Sequence, residues 1–200
     1  MTAPMPWRKT ILDLCGGTGM WSEPYAEAGY NVIIVDPYSP VEGAVLEDVR
    51  LYVPPADVRG VLAAPPCTMF SFARTTAKKP RDFKEGLALV DACLRIITVC
   101  KPQWWALENP VGFLRRFLGE PALTFQPCDY GDAYTKRTDL WGSFTPPETN
   151  LVQVEKQPGR EFGAVRGWSF ARTGRDGLTR QQVRSITPPA FARAFFEANP

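Results

Sequence analysis

Residues 10–19, TILDLCGGTG, set a short apolar run directly before a glycine-rich turn. NVIIV (31–35) stops in the same way at Asp36, GVLAA (60–64) at Pro65-Pro66-Cys67, and QWWALE (103–108) at Asn109-Pro110. Unbroken apolar runs of this length suit parallel strands that are covered on both faces. Parallel strands need crossovers, and the intervening segments supply them. MWSEPYAEAGY (20–30) tolerates Pro24 only in a first helical turn, so its helix is expected to start near Trp21 to Glu23. FKEGLALVDACLRIITVC (83–100) repeats apolar residues at spacings of three and four, the mark of an amphipathic helix. The alternation predicts an α/β protein, a mostly parallel sheet with helices on both faces.

Beyond residue 108 the pattern changes. VGFLRRFL (111–118) reads as a helix, and ALTFQPC (122–128) and TDLWGSF (138–144) read as an antiparallel pair at the sheet edge. The following stretch, to about residue 177, is polar, rich in Gly and Arg and poorly periodic, hence a loop or small insert. At the end Thr187 suits an N-cap and Pro188-Pro189 a first turn, with AFARAFFEA as a terminal helix. Two hundred residues fit one domain.

Several classes are disfavoured by what the chain contains. No run of about 18 apolar residues and no leader-like amino terminus are present, which gives the expectation of a cytoplasmic protein without a membrane span. The five cysteines, Cys15, Cys67, Cys93, Cys100 and Cys128, form no C-x-x-C pair, and there is no histidine. Free thiols, no metal site and no imidazole base are expected. The net charge of +2 is too small to name a partner, but residues 74–84 and 154–184 carry local basic excesses, each readable as a solvated loop or a phosphate-binding surface.

Three positions carry chemistry. The turn CGGTG, between a strand and a helix, lets backbone N–H groups approach a ligand, and Asp36 lies about 20 residues on, where an acid can bind ribose hydroxyls. Together they favour an adenosine cofactor, and the absence of G-x-G-x-x-G shifts weight from NAD toward S-adenosylmethionine. Cys67, stiffened by two prolines at a strand's carboxyl end, reads as a nucleophile or as a small buried hydrophobe, which is also the reading of Cys93, Cys100 and Cys128. Glu108, ending an apolar strand, reads as a desolvated acid with a raised pKa or as a cap on the helix after it.

In order, DLCGGTGMWS, VDP, PPCTMFS, ENP and KRTDLWG resemble the ordered motifs of the DNA cytosine carbon-5 methyltransferase family over about residues 11–142. The resemblance implies a Rossmann-like S-adenosylmethionine-dependent methyltransferase fold in one catalytic domain. It implies Cys67 as the nucleophile that adds to cytosine carbon-6, Glu108 as the group hydrogen-bonded to the ring, Asn109 as the residue fixing its loop and Arg137 as a positive charge beside the base. Cofactor positions carried over are Asp13, Cys15, Gly16, Gly17, Thr18, Gly19, Trp21, Asp36, Pro37, Asp48 and Pro65, with Trp21 or Tyr38 as a face for adenine. Ser71, Arg74, Lys78, Lys79 and Arg81, in the place of the family's mobile loop, and Arg166 and Arg172 in the insert, are expected to contact nucleic acid, and the protein is expected to be a monomer.

The chain departs from the family's pattern at Cys15, Ala64, Pro110 and Thr135, and only residues 143–185 stand where a target-recognition region would be. In this it is similar to compact methylases of phage and prophage genomes. Duplex DNA with an extruded base, single strands and free cytosine nucleotides remain open as substrates, as do two other classes: an amino-methyltransferase, disfavoured by APPC (64–67), and a non-catalytic cofactor-binding regulator.

Overall fold

The computed structural model describes residues 9–72, 79–154 and 185–200. The apolar runs become β1 (Thr10–Leu14), β2 (Asn31–Val35), β3 (Val58–Ala63) and β4 (Trp104–Pro110), followed by β5 (Leu123–Phe125) and β6 (Thr138–Ser143). Their order across the sheet is β2-β1-β3-β4-β6-β5. The first four are parallel, and β6 runs antiparallel to both β4 and β5.

Side-chain alternation along each strand divides the core in two. Ile11, Leu62, Ala106 and Leu140 point to the face covered by α1 (Glu23–Glu27) and the terminal helix, α4 (Pro189–Ala198), through Trp21, Tyr25, Phe191 and Phe195. Leu12, Val61, Ala63 and Leu107 point to the opposite face, covered by Val90, Cys93, Ile96 and Ile97 of α2 (Phe83–Cys100). This is the α/β arrangement the apolar runs predict, a mostly parallel Rossmann-like sheet with helices on both faces. Among the described residues, no helix is long and apolar enough to cross a membrane.

The chain leaves β1 toward one face and β3 toward the other, although the two strands are neighbours. Their carboxyl ends therefore part and open a crevice, the place where open α/β sheets put ligands. The glycine turn follows β1 and the Pro-Pro-Cys loop follows β3, so both line it.

Four expectations are corrected. β4 does not stop before Asn109-Pro110, because β6 pairs with it through Asn109↔Asp139 and Pro110↔Thr138. Residues 122–128 form only three residues of strand, followed by a single 3₁₀ turn at Pro127–Asp129, whose first residue has no N–H to continue a ladder. The helix read at 111–118 is only α3 (Arg115–Leu118), since Gly112 bridges to Ser71 and the Phe113 N–H donates to the Phe70 carbonyl at 2.9 Å. Glu108 is thus far from any helix start. Finally, α4 begins at Pro189 with Pro188 as its cap, so Thr187 does not cap it.

Candidate active site

The turn after β1 is held open by left-handed backbone at Cys15 (φ 55°), Gly17 (53°) and Gly19 (71°). A side chain on Gly17 would meet nothing within 4 Å, so this backbone borders open space, whereas a Cβ on Gly16 would lie 2.5 Å from the Asp13 carboxyl carbon. Asp36 braces the turn from outside. Its Oδ2 accepts the Gly17 N–H at 3.1 Å and its Oδ1 accepts the Tyr38 N–H at 2.8 Å, while Ser39 Oγ donates to the Gly17 carbonyl at 2.7 Å.

Beneath the turn, Asp13 is 1% exposed and accepts a 2.6 Å hydrogen bond from Ser22 Oγ. Its other oxygen, Oδ1, has no partner among the described residues. Burial pushes the Asp13 carboxyl up to about 7, with the Ser22 bond opposing and the Asp36 charge adding to the rise. The Cys15 thiol is hydrogen-bonded to Cys93, and that bond together with burial pushes its pKa up, so a thiol in the cleft wall is made less reactive.

The loop after β3 is fixed from several directions. Ala64 N–H donates to Leu14 O at 2.9 Å, Asn109 Nδ2 donates to Pro65 O at 2.9 Å, and Cys67–Met69 make a single 3₁₀ turn. Arg81 clamps the loop's exit with Nη1 on the Met69 carbonyl (2.9 Å) and Nη2 on the Ser71 carbonyl (2.8 Å). Phe70, fully buried, anchors the turn from below. Cys67 itself is half-buried, as a group that meets a ligand must be.

Glu108 faces this loop from β4. Burial raises its pKa, and Lys136, with Nζ 3.8 Å from Oε1, pulls it partly back. Lys136 is the cation at this carboxylate. Arg137, expected as a positive charge beside the base, is exposed, and its backbone carbonyl accepts the Val111 N–H of the loop after β4.

These groups surround one narrow cleft of about 100 Å³ that opens to solvent. Asp13, Cys15, Gly16, Gly17 and Thr18 line one side. Pro65, Cys67, Glu108 and Lys136 line the other, and Ser185 and Thr187 reach in from the chain's last segment. Lys136 and Ser185 were not singled out from sequence, and Thr187 was read only as a helix cap. Carboxyls whose pKa is raised by burial, a thiol on a stiff loop and glycine backbone around a single space can together bind a polar cofactor and add a nucleophile to a planar ring.

Other expected residues lie elsewhere. Trp21 borders the cleft, but its ring packs in the core on Phe191 and Phe195, with centroids 6.3 and 5.6 Å away, so it offers no open face. Tyr38 is 84% exposed. Gly19 packs under the turn against Ile34, and Pro37 is exposed outside the cleft. Asp48 is paired with Arg50 at 2.6 Å, which also pairs with Glu85, and it does not line the cleft. Ser71 is half-buried beside the cysteine loop and Lys79 is exposed. Arg81 is occupied by carbonyls, a brace where a phosphate contact was expected. Arg74, Lys78, Arg166 and Arg172 lie outside the described residues. No group of three His, Cys, Asp or Glu side chains among the described residues could hold a metal ion.

No family model matches the chain. A curated relative, the Type II methyltransferase M.DdeI of Desulfomicrobium norvegicum, is 29% identical over 122 residues, covering 52% of this chain. The chain spans about a quarter of that relative's length, 28%. The match bears out the resemblance carried by the motifs. Among solved structures, a protein assigned as a DNA modification methyltransferase encoded within an Escherichia coli prophage is similar with a TM-score of 0.47 and 20% identity, over 67% of this chain and 46% of that one. A mutant of Spodoptera frugiperda DNMT2 is similar with a TM-score of 0.44 and 20% identity, over 76% of this chain and 54% of that one.

Proposed function

We propose that the chain transfers a methyl group from S-adenosylmethionine to carbon-5 of cytosine in DNA, acting as one catalytic domain in which residues 143–185 form a short basic insert. The observation that carries this reading is the opening of the Cys67 loop, Glu108 and the glycine turn onto a single cleft. The resemblance of the motifs and the match to a Type II methyltransferase support it.

The cleft suits the cofactor: Gly17 borders open space, and the buried, unpartnered Asp13 Oδ1 is an acceptor awaiting a donor. Gly16–Thr18 backbone and Asp13 would hold it, with Asp36 keeping the turn in shape. When bound it supplies an electrophilic methyl group. The chain's own residues prepare the base to receive it.

Cytosine carbon-5 is a poor nucleophile until a group adds to carbon-6. Cys67 sulfur, as the thiolate, forms the bond to carbon-6, and the ring electrons move toward carbon-5 while Glu108, whose pKa is raised by burial, donates a hydrogen bond to ring nitrogen-3 from its protonated form. Lys136 holds the Glu108 carboxyl in place. After carbon-5 is methylated, loss of its proton restores the double bond and expels the Cys67 thiolate. A base in a duplex must leave the stack to reach the thiol.

The test uses an oligodeoxynucleotide containing 5-fluorocytosine. Without a removable proton at carbon-5, the Cys67 adduct cannot resolve, so wild type with S-adenosylmethionine is expected to give a covalent complex whose modified peptide contains Cys67. Cys67→Ala is expected to bind the cofactor and give no complex. Methyl transfer to ordinary cytosine with no trapped adduct, or by Cys67→Ala, would overturn the reading.

A further inference from the structure

Five phenylalanines gather where the segment after β4 crosses the cysteine loop. Phe70 stacks on Phe83 (centroids 6.2 Å apart, planes at 26°) and meets Phe117 edge-on at 6.1 Å. Phe83 touches Phe113 at 5.7 Å, and Phe72 meets Phe113 edge-on at 4.9 Å. The backbone forces this gathering. A Cβ on Gly112 would lie 2.4 Å from the Phe70 carbonyl oxygen, so the two segments approach as closely as only glycine permits.

The cluster runs from core to surface. Phe70 is fully buried, Phe117 is 43% exposed and Phe72 is 53% exposed. Cations decorate the exposed end: the guanidinium carbons of Arg116 and Arg81 lie 4.7 and 4.9 Å from the Phe113 centroid, and Arg116 and Lys79 face solvent. Carboxylates on the same segments are already engaged. Asp82 accepts the Glu85 N–H, Glu85 pairs with Arg50, and Glu120 and Asp139 pair with Arg115. The surface is therefore aromatic, with exposed Arg116 and Lys79 against Asp82, and begins five residues along the chain from Cys67.

Exposed aromatic rings beside cations fit a ligand with flat π faces and negative charges, which describes a nucleic-acid strand. A duplex hides its base faces in its own stack, while an unpaired strand presents them. We propose that Phe72, Phe117 and Arg116 form a platform on which an unpaired nucleotide stacks, next to the base that enters the cleft. The substrate is then a strand with unpaired bases beside its target. The proposal rests on reading the Cys67 cleft as a nucleic-acid-modifying site, and its test is made independent of turnover.

Binding of the full chain to a fluorescent oligothymidylate, which contains no cytosine, is compared with an abasic oligomer of equal length and with a blunt hairpin duplex. Wild type is expected to prefer oligothymidylate. Phe72→Ala, at a half-exposed position, is expected to bind oligothymidylate about tenfold more weakly and the abasic oligomer unchanged. Arg116→Glu is expected to weaken both and to lower the salt dependence. Phe117→Ala, with its unfolding midpoint recorded, gives the same stacking readout should Phe72→Ala fold poorly. Unchanged oligothymidylate binding by both phenylalanine variants, equal wild-type affinity for the abasic oligomer, or tighter binding of the duplex overturns the platform. If the stacking results hold while wild type methylates no cytosine oligomer, the reading of the cleft falls and the platform stands.

Discussion

The side-chain amide of Asn109 donates to the carbonyl of Pro65 across 2.9 Å, joining the end of β4 to the loop that presents Cys67. Asn109 is fully buried, so Asn109→Ala leaves a carbonyl without its donor in a place water does not reach, at a cost of ~1–3 kcal/mol. The expected result is a lowered unfolding midpoint together with slower trapping of 5-fluorocytosine. Asn109→Asp is expected to be worse at pH 8 than at pH 5, because only the protonated acid keeps a donor for Pro65. A midpoint equal to wild type in Asn109→Ala would remove this residue as the brace of the loop.

Arg81 was expected to meet phosphate, yet its guanidinium is divided between the Met69 and Ser71 carbonyls. Two parallel donors in a fixed fork are what lysine lacks. Both Arg81→Ala and Arg81→Lys are therefore expected to lose ~1–2 kcal/mol of stability, at about 1 kcal/mol per hydrogen bond. Binding of nucleic acid is expected to keep its salt dependence, since no phosphate contact is removed. A reduced salt slope with unchanged stability would return Arg81 to the role of phosphate contact.

The strands were legible because burial keeps them mainly apolar, as in Ile11, Leu12 and Leu14 of β1, with Asp13 the buried exception. The glycine turn, Cys67 and Glu108 were legible because each ends such a run. What escaped depended on pairing between distant segments. Nothing local to 111–113 says that Gly112 will bridge to Ser71 and draw out the first half of an expected helix. The same holds for Lys136: the motif points to Arg137 as a charge beside the base, and only the register of β6 on β4, with Leu140 opposite Glu108, brings Lys136 to the carboxylate. Asp48 was lost to a cation two residues away, a local pairing that a motif reading passes over.

Lys136 and Glu108 make a pH prediction. Burial raises the Glu108 pKa and the Lys136 charge lowers it, so removing the cation raises it further. If protonated Glu108 donates to the ring, activity falls as pH rises through that pKa. In Lys136→Met the fall in kcat/KM is expected at higher pH than in wild type, while Lys136→Arg keeps the wild-type position. A fall at unchanged or lower pH in the Met variant would show that Lys136 does not set the protonation of Glu108.

Asp13 ties stability to pH through the cofactor turn. Its carboxyl, ordinarily near 3.8, is held up to about 7 in the folded chain by burial. Between those values the folded chain keeps a proton that the unfolded chain releases, so this group's contribution to stability declines as pH rises from about 4 to about 7 and is level above. Three units at ~1.4 kcal/mol each set a ceiling of about 4 kcal/mol. Asp13→Asn cannot ionise, and its amide oxygen can still accept from Ser22. Urea unfolding is expected to show Asp13→Asn exceeding wild type in stability at pH 8 by more than at pH 5. A cationic or hydrogen-donating cofactor at the unpartnered Oδ1 would lower the carboxyl's pKa, so saturating S-adenosylmethionine is expected to flatten the wild-type curve. A pH difference between the two proteins that is absent, or that grows toward acid, would mean that Asp13 is already ionised in the fold.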